Sequence, residues 1–293
     1  MSRATVVITE TEQGWTETAI GVPAALLRPY FQSYYGYREA ATGIVRRLEV
    51  PFPRAALILG FGEPIAVANS ANERDLEPGY RAFLAGLSTG PALVESYGGQ
   101  AGIQVDLTPL GARHVFGTPM GVLTDRVVHL EDLLGRPAIE LMERLRDSPG
   151  WDARYDLLDR VFLAAVAANP GTPAPIAWAW QQIATARDGV RVARLAEEVG
   201  WSHKHFISRF REEVGLAPRL ASRVVRFDRA VSAVRTGTML DWSALAAEAG
   251  YYDQAHMARD FREFARCTPG EFLARQLPDG GTRGDGIGDP ADR

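Results

Sequence analysis

Leu195-Ala196-Glu197-Glu198-Val199-Gly200-Trp201, continued by Ser202, His205, Phe206, Phe210, Arg211, Glu212 and Pro218, is a pattern that the chain carries twice. The second copy reads Leu245-Ala246-Ala247-Glu248-Ala249-Gly250-Tyr251, then Asp253, His256, Met257, Phe261, Arg262, Glu263 and Pro269. The offset is 50 residues through Trp201 and Tyr251 and 51 from Ser202 and Asp253 onward, so Tyr252 is one inserted residue in the second turn. Self-similarity at such a period marks a duplicated supersecondary unit.

Within each copy, Leu195, Ala196 and Val199 form the apolar face of a short helix. Gly200 supplies the positive φ that ends it, and Ser202 is placed to cap a second helix. Phe206, Phe210 and Val214 recur every four residues and turn inward, while Lys204, Ile207, Ser208 and Arg211 share another face. In the second copy Asp253 is the cap. Met257, Phe261 and Phe264 turn inward there, and Ala255, Ala258, Arg259 and Arg262 outward. Helix, glycine turn and helix with an arginine-bearing outer face is the helix-turn-helix layout, whose second helix fits the major groove. One copy alone would equally describe any helical hairpin; two in register are far more specific.

Residues from about 175 to 277 resemble the DNA-binding domain of AraC/XylS-type transcriptional regulators. The resemblance is carried by Leu195-Ala196 to Gly200, Ser202, Phe206, Phe210-Arg211, Gly215-Leu216-Ala217-Pro218, Arg226 with Ala230, Gly250, Asp253, Phe261-Arg262 and Thr268-Pro269. It implies an all-α domain of two helix-turn-helix units joined by a long helix, here about 218–235, reading adjacent major-groove segments of double-stranded promoter DNA. Lys204, Ser208, Gln254 and Arg259 are the expected base readers. Ile207, Ala255 and Ala258 are placed for thymine methyls, and Arg211 and Arg262 for phosphates. The sequence departs from the pattern at two places. Arg266 stands where the first copy has Gly215, and the alanines leave the second reading helix short of polar reach.

Composition agrees with a soluble globular protein, 46% hydrophobic and 23% charged, and at 293 residues the expectation is two domains. The net charge of −4 argues against nucleic acid until it is divided. Residues 175–276 hold 15 Lys+Arg against 12 Asp+Glu, a net of +3, and the remainder is −7, so the repeat region is the electropositive part, as phosphate contact needs. No apolar run is long enough to span a membrane and the first fifteen residues lack a signal-peptide layout, which predicts a cytoplasmic protein without membrane contact. The single cysteine, Cys267, fits a reducing compartment.

Ahead of the repeats, the pattern predicts a lead-in over 1–20 with Val6-Val7-Ile8 as an edge strand, and a helix over 23–37 from the stripe Leu26, Leu27, Tyr30 and Tyr34. Strands are predicted at 43–50, 55–61, 64–68, 91–97 and 102–107, with a charged loop at 72–79. Short helical segments follow at 109–116 and 131–134. Many short strands with Gly/Pro turns suggest a β-sandwich or barrel. Arg46-Arg47-Leu48-Glu49-Val50-Pro51, leading into Ala56 to Phe61, and Gln104 to Ala112 loosely resemble the cupin-like sensor domains found in members of that family. The expected fold is therefore α+β: a cupin-like N-terminal β-sandwich with flanking helices over 1–168, a Pro-rich linker at 169–175, the DNA-binding domain at 176–277 and a disordered tail at 278–293. Helices are expected at 137–147 and 151–168. In the latter, Trp151, Tyr155, Leu158, Phe162 and Ala165 follow a 3.5-residue spacing, which suits either packing on the domain's own sheet or a dimer seam.

Catalytic chemistry finds little support. Of five histidines only His114 and His129 precede the linker, and that ligand count disfavours a metal site; no cofactor is expected. Tyr37, Arg47, Phe61 and Glu63 are candidates to line a small-molecule site in the sandwich mouth. The resemblance implies a homodimeric regulator, an activator acting with RNA polymerase and responding to a small-molecule effector. Two alternatives stay open: a cupin-type enzyme fused to a DNA-recruiting domain, and a regulator controlled by a protein partner through the Trp151 helix.

Overall fold

The computed structural model describes residues 3–275, apart from 12, 13, 42, 71, 98, 188 and 237–240; the expected tail at 278–293 lies outside them. The N-terminal half is eleven antiparallel strands among the described residues: β1 (Ala4–Thr11), β2 (Gly14–Gly21), β3 (Phe31–Ala41), β4 (Ile44–Glu49), β5 (Ala55–Gly60), β6 (Ile65–Ala68), β7 (Glu77–Tyr80), β8 (Ala82–Ala85), β9 (Ala92–Tyr97), β10 (Gln100–Leu107) and β11 (Val127–His129). They form a seven-stranded sheet in the order β1-β2-β3-β10-β5-β8-β11 and a four-stranded sheet in the order β4-β9-β6-β7. Val67, Tyr80 and Phe83 form an apolar cluster of their own, with Ile58 and Val94 packed on it, and so join the two sheets.

Helices follow: α1 (Pro109–Phe116), α2 (Leu130–Leu134), α3 (Arg136–Asp147) and α4 (Trp151–Ala168). The Trp151 stripe does not reach outward. Trp151, Tyr155, Leu158 and Phe162 are all buried, and Tyr34 stacks on Tyr155 at 5.2 Å. The sheet makes room by placing Gly21 and Gly36 under α4: a Cβ on Gly36 would sit 2.5 Å from the Trp151 ring. The Tyr155 hydroxyl donates to the Ala19 carbonyl at 2.7 Å and accepts from the Gly36 amide at 3.1 Å. Tyr155→Phe leaves both backbone groups buried without that partner, so an unfolding free energy about 1–3 kcal/mol lower is expected from urea denaturation.

The helix expected over 23–37 is a strand. Only Ala25–Leu27 make a 3-10 turn, and β3 then runs eleven residues between β2 and β10. Phe31, Tyr34 and Leu27 are buried while Leu26 is exposed, so the helical stripe was an accident of spacing that sheet pairing overrides. The lead-in is likewise more regular than expected: β1 and β2 pair over their whole length as a hairpin. The charged loop runs into β7, which starts at Glu77 and ends one residue beyond the expected loop, and β8 is a strand that the sequence pattern did not signal.

The C-terminal helices are α5 (Ala174–Thr185), α6 (Val192–Glu198), α7 (His203–Val214), α8 (Pro218–Arg235), α9 (Trp242–Glu248), α10 (Gln254–Ala265) and α11 (Pro269–Ala274). α5 starts inside the stretch expected as a linker, because Pro175 occupies the first turn, where its missing N–H costs nothing. The architecture is thus an antiparallel β domain followed by a helical domain. One apolar core runs through both, from Phe31 and Tyr155 to Phe210 and Phe261.

Candidate nucleic-acid interface

Each repeat folds as helix, glycine turn, helix. Gly200 and Gly250 take φ of 71° and 87°. The Ser202 hydroxyl caps α7 by accepting from the His205 amide at 3.3 Å, and the Asp253 carboxylate caps α10 by accepting from the His256 amide at 2.6 Å. Phe206, Phe210 and Val214 are buried beneath α7, and Met257, Phe261 and Phe264 beneath α10. α8 spans the two units over eighteen residues.

On α7, Lys204, Ser208 and Arg211 are exposed and Ile207 is half-buried. These four side chains, with Glu212 and Gly121, line an open depression of about 470 Å³. On α10, Gln254, Ala255, Arg259 and Arg262 are exposed and Ala258 half-buried. The Gln254 amide already donates to the Ser243 hydroxyl at 2.5 Å, and Arg259 Nε donates back to the Ala255 carbonyl at 3.3 Å.

What orients the two helices differs, and the sequence pattern did not reveal it. α10 is fastened to α8: Arg223 donates to Asp260 at 2.7 Å and to Glu263 at 2.5 Å, and Arg226 reaches Asp260 at 3.3 Å. Arg226 also lies over the Tyr251 ring at 4.6 Å, and its Nη2 is 3.3 Å from His256. Burial, then Arg226, holds the His256 imidazole below its usual pKa. α7 is fastened instead to the β domain. Arg113 on α1 pairs with the buried Glu213 at 3.1 Å, and the Thr124 hydroxyl donates to the Gly215 carbonyl at 2.7 Å. Gly121 packs directly on the α7 backbone, where a Cβ would lie 3.1 Å from the Arg211 carbonyl oxygen.

The four effector-site candidates do not converge. Tyr37 and Arg47 come together with Glu39, whose carboxylate accepts from Arg47 at 3.1 Å; burial, then Glu39, pushes the Tyr37 phenol up to about 12. Phe61 lies elsewhere, beneath the Arg154 guanidinium at 5.1 Å, alongside Trp151, and Glu63 is exposed. His114 contacts the Asn169 carbonyl at 3.0 Å and His129 stacks on Tyr80. No cluster of three or more His, Cys, Asp or Glu able to hold a metal occurs among the described residues. Burial pushes the Cys267 thiol up to about 11, away from thiolate chemistry.

The family model described as a helix-turn-helix domain matches residues 195–275, the span of both repeats. Residues 195–275 are an AraC-type helix-turn-helix domain. Such a domain binds double-stranded DNA, and the chain carrying it is a DNA-binding transcription regulator. No curated protein matches the chain. Similar solved structures include ToxT from Vibrio cholerae O395, at 11% identity over 79% of this chain and 96% of that one, with a TM-score of 0.44. The C-terminal domain of AraT, a response regulator from Geobacillus stearothermophilus, is 17% identical over 36% and 88%, with a TM-score of 0.34. The DNA-binding domain of AdpA in complex with a target DNA is 23% identical over 34% and 86%, with a TM-score of 0.30. No helix among the described residues is long and apolar enough to cross a membrane.

Proposed function

We propose that the protein is a homodimeric, effector-responsive activator that reads promoter DNA with α7 and α10. The observation that carries the reading is the pair of capped, outward-facing helices on one long α8. Lys204, Ser208, Gln254 and Arg259 read base edges; Ile207, Ala255 and Ala258 touch thymine methyls; Arg211 and Arg262 hold phosphates. Direct packing of Gly121 and Thr124 against the end of α7 supports control by the N-terminal domain, since any shift there moves a reading helix. The meeting of Tyr37, Glu39 and Arg47 supports a polar effector as the signal, and RNA polymerase is the partner that activation requires.

The test is selection of bound fragments from random duplex DNA, then affinity of variants on the selected site and on scrambled DNA at fixed salt. Arg259→Ala is expected to relax preference at one or two base pairs and to weaken the selected site by about 1–3 kcal/mol. Arg262→Ala should weaken both DNAs alike and flatten the salt dependence. Equal loss on both DNAs with Arg259→Ala would move that residue from base reader to backbone contact.

A further inference from the structure

We infer that the outer edge of β1 is a dimerisation surface on which a second copy of this chain pairs antiparallel about a two-fold axis through Val7. The inference rests on the homodimer reading above and gives it a place. The face of α4 that a seam would have used is consumed by the chain's own sheet, so a dimer has to find apolar surface elsewhere.

β1 offers it. It ends the seven-stranded sheet, and no described strand pairs with its outer edge. Three consecutive large apolar side chains stand open there: Val6 is 48% exposed, Val7 54% and Ile8 63%. Trp15 and Ile20 on β2 add 43% and 45%. A regular strand edge of this kind is normally guarded by lysine, proline, a bulge or a cover. From Ala4 to Thr9 the strand has no charge and no proline, and its register with β2 runs without a shift.

The sequence says which occupant fits. Thr5-Val6-Val7-Ile8-Thr9 reads nearly the same in both directions. Paired with itself about Val7, it sets Thr5 opposite Thr9 and Val6 opposite Ile8. Val7 falls opposite its own copy. Each is a favourable cross-strand pair of β-branched residues. Side-chain parity is kept as well. Val6 and Ile8 share the α4 side of the sheet with Ala19 and Glu17, while Thr5, Val7 and Thr9 lie on the other. The two seven-stranded sheets would thereby join into one.

The experiment reads the association state of the full chain without DNA, so its failure would leave the DNA-reading proposal standing. Sedimentation equilibrium should show a dimer. Val7→Lys and Val7→Glu should each weaken it at least tenfold, because like charges meet on the axis, and an equimolar mixture of the two should restore it as a heterodimer. Under mild oxidation Val7→Cys should cross-link to itself. Thr5→Cys and Thr9→Cys should cross-link only when mixed; the native Cys267 is buried and serves as a silent background. A monomer at every concentration would overturn the inference. So would a dimer indifferent to Val7→Lys, or cross-linking at Val7→Cys no faster than at the exposed Val122→Cys.

Discussion

Replacing Asp260 by alanine is expected to lower the unfolding free energy by about 3–5 kcal/mol, the range found when one partner of a buried ion pair is removed. Asp260 is 2% exposed and accepts from two guanidiniums on α8, Arg223 at 2.7 Å and Arg226 at 3.3 Å. Both guanidiniums also lie over aromatic rings. Arg223 is held over the Phe264 ring at 4.8 Å, and Arg226 lies over Tyr251 with its Nε buried and unpartnered. Arg223 keeps Glu263, which is the first cause of its raised pKa, so the larger share of the loss falls on Arg226. There the charge would face only His256 and an aromatic ring. Urea denaturation measures the loss. A change below about 1 kcal/mol, the worth of an exposed pair, would mean that α10 is held by its apolar face alone. Asp260→Asn keeps the shape and loses the charge, and should fall between the two. Because α10 and α8 are joined through this carboxylate, binding to the second half of the DNA site should weaken with stability, while Arg113 and Glu213 keep α7 in place.

The legible part of the chain was the part written twice. Caps, turns and the buried phenylalanines follow from local spacing, and local spacing is what a sequence displays; the length of α8 followed from the family resemblance. Docking is not displayed, and it is where the copies differ. Arg209 and Asp260 occupy equivalent positions of opposite charge, and Glu213 is matched by Phe264. Those substitutions record that α7 is tied to α1 of the β domain whereas α10 is tied to α8. In the β domain, strands flanked by Gly and Pro could be read, but β3 could not. Leu27 and Tyr30 just ahead of it and Tyr34 within it mimic a helical stripe, and the decisive contacts come from Trp151 and Tyr155, more than a hundred residues away. The effector candidates failed to converge for a related reason. Phe61 follows β5 closely in sequence, yet it lies under Arg154, away from Arg47 and its partner Glu39.

Gly250→Ala should be nearly as costly as the loss of Asp260, and far worse than the same change at Gly200. The two glycines are equivalent in the repeat and both require the left-handed region, which charges an alanine roughly 1–2 kcal/mol. Around Gly200 no other atom comes near a new Cβ, so the conformational term is the whole of the expected loss. At Gly250 the added carbon would run into the Arg187 carbonyl oxygen, which is backbone and cannot rotate away. Overpacking adds about 1–3 kcal/mol to the conformational term. Relief would require the segment between α5 and α6 to move, and that segment is pinned: Arg229 on α8 donates to the Ala186 carbonyl at 2.6 Å and to the Ala184 carbonyl at 2.9 Å. The comparison of Gly200→Ala with Gly250→Ala by thermal and urea unfolding therefore separates backbone conformation from contact at a matched site. Equal losses would show that the chain near Arg187 yields at no cost, and that the second turn is not clamped against the first helix of the domain.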